Sequence, residues 1–150
     1  MEHADGPDLP TRASIPLGIK VLGLALGLLL AGSAQAAADD LRSVAGMQSH
    51  NRLLLVFAPS LADPRLNSQR AIFAQLAVQA AQRDLLLVQV DPRIVVGASD
   101  KGYALRRQFH VPVQRYHALL IDKDGRVLRE AAGPIQGAMI IRAIDSRRRN

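Results

Sequence analysis

Three polar residues that could do chemistry follow a long apolar run near the middle of the sequence. The run ends at Pro59, and Ser60, Asp63 and Arg65 come soon after it. A serine hydroxyl can act as a nucleophile, a carboxylate can cap a helix or accept a proton, and an arginine can bind an anion. Junctions between a strand and the following helix commonly hold such groups. The segment Pro59–Arg65 is therefore the first candidate site.

A catalytic role for Ser60 would need a general base and an acid that orients this base. His110 and His117 are the candidate bases, but the Gly-x-Ser-x-Gly elbow that exposes a nucleophilic serine is missing. The pattern favours a turn role for Ser60, and we assign no catalytic residue.

The sequence predicts neither a metal site nor a cofactor. His110 and His117 are seven residues apart and match no common ligand spacing. Asp122 and Asp124 lie in a predicted hairpin turn, where aspartate is favoured for local hydrogen bonding. The chain also lacks a glycine-rich phosphate loop.

An anion could bind where the helix after the junction begins. The N–H groups in the first turn of a helix attract anions, and Arg65 would lie beside them. Asp63 competes for the same donors, because an aspartate before Pro64 is well placed to cap the helix. A small anion or a carboxylate of a partner protein is the ligand that this pattern allows.

Apolar runs and turn residues predict how the chain positions this junction. Two continuous apolar runs predict strands that are buried on both faces, with a helix between them. The predicted strands are 52–58, 84–90, 117–121 and 126–129; the predicted helices are 64–82, 103–109 and one opened by Gly133-Pro134. The order β-α-β, α, β-β-α predicts an α/β fold with a mixed four-stranded sheet and helices on both faces.

The beginning of the sequence has the layout of a secretory signal peptide. Lys20 precedes an uncharged apolar stretch, 21–31, and Ala34-Gln35-Ala36 fits the small-x-small cleavage pattern. The stretch is shorter than the about 20 residues that span a bilayer, so we expect no stable membrane span, with an uncleaved anchor as the alternative. We predict a signal peptide over 1–36, cleavage after about Ala36, and a periplasmic or secreted protein. A flexible lead-in over 37–51, a domain over 52–146 and a basic tail over 147–150 would follow.

Composition limits the partners and the chemistry. The 150 residues contain no cysteine, which excludes thiol–disulfide chemistry in this chain. The net charge is +6, but aromatic residues make up only 3%, too few for the stacking platforms that bind single-stranded nucleic acid. We expect an unknown protein partner or an anionic component of the envelope, and no nucleic acid. Arg106-Arg107 together with 147–149 could form a lipid-facing basic cluster.

Several segments carry a resemblance to known proteins. The stretch FAPSLADPR resembles the active-site segment of thioredoxins, with Pro64 on the proline of that motif. The segments LLLVFAPS, ADPR, QRDLLLVQV, LRRQFHV, LLIDKDGRV and AIDSRRR resemble domain-of-unknown-function family 4174, which is described as thioredoxin-like. The resemblance implies a thioredoxin-like fold over most of the sequence after the leader.

The resemblance also shows what this chain lacks. Ala62 and Arg65 stand where thioredoxins carry their two cysteines, and Arg115 or Tyr116 stands near the place of their cis-proline. By this analogy Arg115 and Tyr116 would lie close to the start of the helix.

Two functional hypotheses follow. The first is a non-catalytic periplasmic binding or accessory module on a scaffold that has lost its thiol chemistry. The alternative is a small enzyme or anion-binding protein with non-thiol chemistry at the junction, which requires a concave pocket holding Ser60, Arg65, Arg115 and Tyr116.

Overall fold

The computed structural model describes residues 42–147. The predicted signal peptide, 1–36, and residues 148–150 of the predicted tail lie outside the described residues. The described part contains five helices and five strands. The helices are α1 (Val44–Met47), α2 (Pro64–Gln75), α3 (Ala77–Ala81), α4 (Gly102–Gln108) and α5 (Gly137–Arg147). The strands are β1 (Arg52–Phe57), β2 (Leu85–Val90), β3 (Val95–Val96), β4 (His117–Ile121) and β5 (Val127–Ala131).

The strands form one mixed sheet in the order β3-β2-β1-β4-β5. At its centre Leu55 of β1 pairs in parallel with Val88 of β2 and antiparallel with Leu119 of β4. Parallel pairing of consecutive strands requires a crossover, which α2 and α3 provide. The α/β fold with a mixed sheet is confirmed, but the sheet has five strands and not four. The extra strand, β3, has only two residues. The sequence predicts no strand there, because so short a strand has no alternation pattern.

The central strand β1 explains why its sequence is apolar without interruption. Its residues Leu53–Phe57 are completely buried. Leu54 and Val56 pack in one hydrophobic cluster with residues of α2, α3 and α5. Leu53, Leu55 and Phe57 pack in a second cluster with residues of α1 and α4. A strand covered by helices on both faces needs apolar residues at every position.

Helix α2 begins as the sequence predicts, with Asp63 as the N-cap and Pro64 in the first turn. The helix ends earlier than predicted. At Leu76 the backbone N–H bonds to the carbonyl of Phe73, which tightens the last turn, and the separate short helix α3 follows. The buried Leu76 side chain lies against Gly137, so tertiary packing accompanies this break.

The last helix also starts later than Gly133-Pro134 predicts, at Gly137. Gln69 of α2 accounts for the delay, because its side chain pairs with both backbone groups of Ile135. The Ile135 N–H donates to Gln69 Oε1 at 2.7 Å, and Gln69 Nε2 donates to the Ile135 carbonyl at 3.1 Å. These backbone groups therefore serve a tertiary contact and not the first turn of α5.

The two ends of the described chain are packed. In the segment predicted as a flexible lead-in, α1 is capped by Ser43, and Val44 and Met47 are buried. The Val44 N–H donates to Asp100 Oδ2 at 2.6 Å. Arg147, predicted to open the tail, is the last residue of α5 and donates to Asp124 Oδ2 at 2.8 Å. Between residues 42 and 147, no helix has the length and apolarity to cross a membrane.

Candidate functional site

Asp63 and Arg65 form a two-pronged ion pair at the start of α2. Arg65 Nε donates to Asp63 Oδ1 at 3.0 Å, and Arg65 Nη2 donates to Asp63 Oδ2 at 2.7 Å. The Asp63 Oδ1 atom also accepts the backbone N–H of Arg65 at 2.9 Å. Hydrogen bonding from the Arg65 side chain is the main cause that holds the pKa of Asp63 below its ordinary value, although burial opposes it. Asp63 is thus an ionised cap whose oxygens are occupied, and it is poorly suited to act as a base.

Tyr116 lies beneath this ion pair. The guanidinium carbon of Arg65 is 5.0 Å from the centroid of the Tyr116 ring, a cation–π arrangement. Tyr116 is 1% exposed, and its hydroxyl has no hydrogen-bond partner within the described residues. Burial raises the pKa of Tyr116 far above its ordinary value, and the nearby Asp63 carboxylate adds to the shift. The phenol therefore stays neutral and serves as a platform for Arg65.

A cavity of about 350 Å³ opens beside Arg65 and Tyr116, and Arg115 lines it as well. The other lining residues are Pro112, Gln114 and Ala132, so no acidic side chain faces this space. Arg115 is exposed, and its backbone N–H donates to the Pro112 carbonyl at 3.0 Å, which fixes the turn before β4. The Arg65 side chain is 45% exposed. Two guanidinium groups can therefore reach an anionic ligand in this cavity.

The charges of these two arginines are balanced differently. Asp63 neutralises the formal charge of Arg65, whereas Arg115 has no ion-pair partner in the described part of the chain. The cavity therefore carries a net positive charge. Such a depression suits a carboxylate or another small anion.

The structure does not bring Ser60 to this cavity. Ser60 is exposed, its carbonyl accepts the N–H of Asp63 at 3.2 Å, and its side chain is not among the lining residues. A neighbouring cavity of about 350 Å³ is lined by both His110 and His117 together with Arg115, and Ser60 is absent from it too. The exposed turn is the position that the sequence favours for Ser60. Arg65, Arg115 and Tyr116 line one cavity, whereas the predicted pocket would also have held Ser60.

Arg106 is the residue that sequence reasoning missed. It is 4% exposed and donates through Nη1 to the Pro112 carbonyl at 2.7 Å. Its Nη2 donates to the carbonyl of Ala58, directly after β1, and lies 3.5 Å from the carbonyl oxygen of Val90, at the end of β2. Arg106 thus joins the carboxyl ends of the two parallel strands. Burial lowers the pKa of its guanidinium.

The placement of Arg106 corrects one prediction. A surface cluster of Arg106 with Arg107 is wrong, because Arg106 is buried. The signal was present in the spacing, since Arg106 comes three residues before Phe109 and therefore shares its face of the helix. Phe109 and Arg106 both contact Phe57, with a ring-centroid distance of 5.8 Å and a guanidinium-to-centroid distance of 5.6 Å.

Among residues 42–147, no three His, Cys, Asp or Glu side chains cluster in a way that could hold a metal ion.

A comparison with solved structures supports the fold. The chain is similar to the crystal structure of the reduced 2-Cys peroxiredoxin of Plasmodium vivax, with a TM-score of 0.57 and 14% sequence identity. The similarity covers 71% of this chain and 82% of that one. At this identity the likeness shows the fold alone, which is thioredoxin-like.

No curated protein matches the chain. A family model does match, over residues 43–149, and its description is "Domain of unknown function (DUF4174)". The match begins at the cap of α1 and covers every described strand and helix. This chain belongs to the DUF4174 family.

Proposed function

We propose that this protein is a non-catalytic binding module of the periplasm that recognises an acidic segment of a partner protein. The observation that carries the proposal is the cavity beside α2, which is lined by both Arg65 and Arg115 and by no acidic side chain. The predicted signal peptide is the basis for the compartment.

The chemistry of the junction favours recognition over catalysis. The chain has no cysteine, and the positions that resemble the thioredoxin cysteines hold Ala62 and Arg65. A methyl group and a paired guanidinium are not nucleophiles. Asp63 is committed to capping α2 and to its ion pair. Tyr116, with its raised pKa, gives no usable base near neutral pH.

Arg65 is held in place before a ligand arrives. Two of the five N–H groups of its guanidinium are bound by Asp63, and its face rests on the Tyr116 ring. A side chain that is already ordered loses little conformational entropy on binding. Its remaining donors are available for a carboxylate of a partner. Asp63 neutralises the charge of Arg65 but not that of Arg115, which is exposed. Arg115 therefore supplies the positive charge that attracts an acidic ligand.

Charge reversal at Arg115 tests this proposal. The purified protein is titrated with a fluorescent peptide of consecutive glutamates, with a lysine peptide of the same length as the ligand control. We expect Arg115→Glu to weaken binding at least about tenfold, because a repelling charge then faces the peptide. Arg142→Glu is the matched control, since Arg142 is an exposed arginine of α5 that lines a different cavity.

Two results would contradict the proposal. One is an equal loss of affinity in both variants, which would indicate a diffuse charge effect. The other is binding of the glutamate peptide that Arg115→Glu leaves unchanged. Preferential binding of inorganic phosphate over the peptide would support the anion-binding alternative instead.

A further inference from the structure

A second cavity, of about 430 Å³, lies next to Arg106 and is separate from the partner site proposed above. Its lining residues are Pro92, Tyr103, Arg106, Arg107, His110, Val111, Pro112 and Val113. Of these, only Pro112 also lines the cavity at Arg65. The volume falls within the range of about 300–1,000 Å³ that is common for small-molecule sites.

The position of this cavity in the sheet is one that favours ligands. Arg106 bonds to the carbonyl of Ala58 after β1 and lies 3.5 Å from the carbonyl oxygen of Val90 at the end of β2. Its guanidinium therefore lies at the carboxyl ends of two parallel strands. In open α/β sheets, ligands bind in the crevice outside these ends.

Within residues 42–147, no carboxylate forms an ion pair with the Arg106 guanidinium. Its guanidinium donates to backbone carbonyl oxygens, and its Nε has no hydrogen-bond partner among the described residues. The Asp91 carboxylate acts on the Arg106 charge without pairing with it, and its Oδ1 accepts the backbone N–H groups of Arg93 and Ile94 at 2.6 Å each. A buried cation without a paired anion is costly, so an incoming anion gains more here than at an exposed arginine.

The rest of the lining combines a second cation with apolar surface. The guanidinium carbon of Arg107 is 5.9 Å from the centroid of the Tyr103 ring. Tyr103 and Val113 are exposed large side chains, and Val111 and Pro112 add further apolar wall. No Asp or Glu lines the cavity. The complementary ligand has one anionic end and an apolar body.

We propose that this cavity binds a small organic carboxylate. The carboxylate lies near Arg106 and Arg107, and an aromatic or short aliphatic body packs against Tyr103 and Val113. This site is independent of the proposed recognition of an acidic partner, since neither Arg65 nor Arg115 lines it.

Matched pairs of small molecules test the assignment. The purified protein is titrated with phenylacetate and with hexanoate, and each acid is compared with its neutral amide, while backbone amide signals are followed by NMR. We expect saturable shifts at Tyr103, His110 and Val113 with the acids, and binding of the amides that is weaker by about tenfold or more. Inorganic phosphate serves as the anion without an apolar body and should bind more weakly than either acid.

Variants at exposed positions keep the test independent of folding. Arg107→Gln and Tyr103→Ala should each weaken phenylacetate at least about threefold, whereas Arg142→Gln, at another cavity, should leave the affinity unchanged. Arg106→Gln should abolish binding if that variant folds. The proposal is overturned if the acids do not saturate the shifts below on the order of 10 mM, if the amides bind equally well, or if Arg107→Gln and Tyr103→Ala have no effect. None of these outcomes alters binding of the glutamate peptide through Arg115.

Discussion

Replacement of Asp63 separates the two tasks that this residue performs at the start of α2. Its Oδ1 accepts the N–H of Arg65 at 2.9 Å, the geometry of a helix N-cap, and both oxygens bind the Arg65 guanidinium. Asp63→Ala removes both interactions, whereas Asp63→Asn keeps a good cap and loses the ion pair. We expect Asp63→Ala to lower the free energy of unfolding by about 1 kcal/mol relative to Asp63→Asn, because this is the usual contribution of a cap.

The pH dependence of the free energy of unfolding tests the ion pair more specifically. The pKa of Asp63 is lowered in the folded protein, so the folded state binds the proton less readily than the unfolded chain does. The extra stability of the wild type over Asp63→Asn is therefore present above the unfolded pKa of about 3.9 and is lost as the pH falls through the lower, folded value.

Urea unfolding followed by circular dichroism between neutral pH and pH 2 measures both effects. The loss of the cap should also lower the Tm of Asp63→Ala by about 4–8 °C relative to Asp63→Asn, for a domain of this size. A stability difference between wild type and Asp63→Asn that stays constant or grows in acid would refute the account of the ion pair. Equal stability of Asp63→Ala and Asp63→Asn near neutral pH would refute the account of the cap.

Three further substitutions test the packing that positions the two cavities, each by urea unfolding against the wild type. Gln69→Ala should cost about 2–4 kcal/mol, because it leaves the backbone N–H and carbonyl of Ile135 unpaired at a completely buried position; a loss below about 1 kcal/mol would contradict this. Tyr116→Phe should leave stability unchanged or raise it by up to about 1 kcal/mol, since the buried hydroxyl has no partner within the described residues, and a clear loss would show that the hydroxyl is bound. Gly102→Ala should cost about 1–3 kcal/mol, because a Cβ there would collide with the carbonyl oxygen of Asp91, and an unchanged midpoint would argue against this close approach.

Local signals in the sequence were enough to predict the frame of the fold. The apolar run of β1 indicates a strand buried on both faces, and the structure buries all of Leu53–Phe57. Asp63 followed by Pro64 predicts the helix start that α2 adopts. These features depend on neighbouring residues, whose preferences act within a few positions along the chain.

Features that depend on distant contacts could not be predicted in this way. The later start of α5 accompanies the bonds between Gln69 and Ile135, which lie 66 residues apart. The packing of α1 includes the bond from Val44 to Asp100, across 56 residues. Neither contact leaves a local pattern in the sequence. The sequence therefore predicts an earlier start for the last helix and a flexible segment in place of α1.

The candidate site also depends on distant contacts that local patterns do not reveal. The proximity of Arg65 to Arg115 and Tyr116 followed from the resemblance to thioredoxin-like proteins and not from any local pattern. The buried position of Arg106 was hidden because the adjacent Arg107 made the two look like a surface pair. In the structure Arg106 belongs to the core at the ends of β1 and β2, and only Arg107 is exposed.

Site-specific photocrosslinking in native envelope extract tests most directly whether the cavity beside α2 recognises an acidic partner. A photoreactive residue replaces exposed Gln114, which lines the cavity, or Arg142 as the control, and mass spectrometry identifies the crosslinked peptides. The account predicts that position 114 captures acidic segments, and that Arg115→Glu or an excess of glutamate peptide removes these products. Identical products from both positions, or products from position 114 that persist in Arg115→Glu, would contradict it.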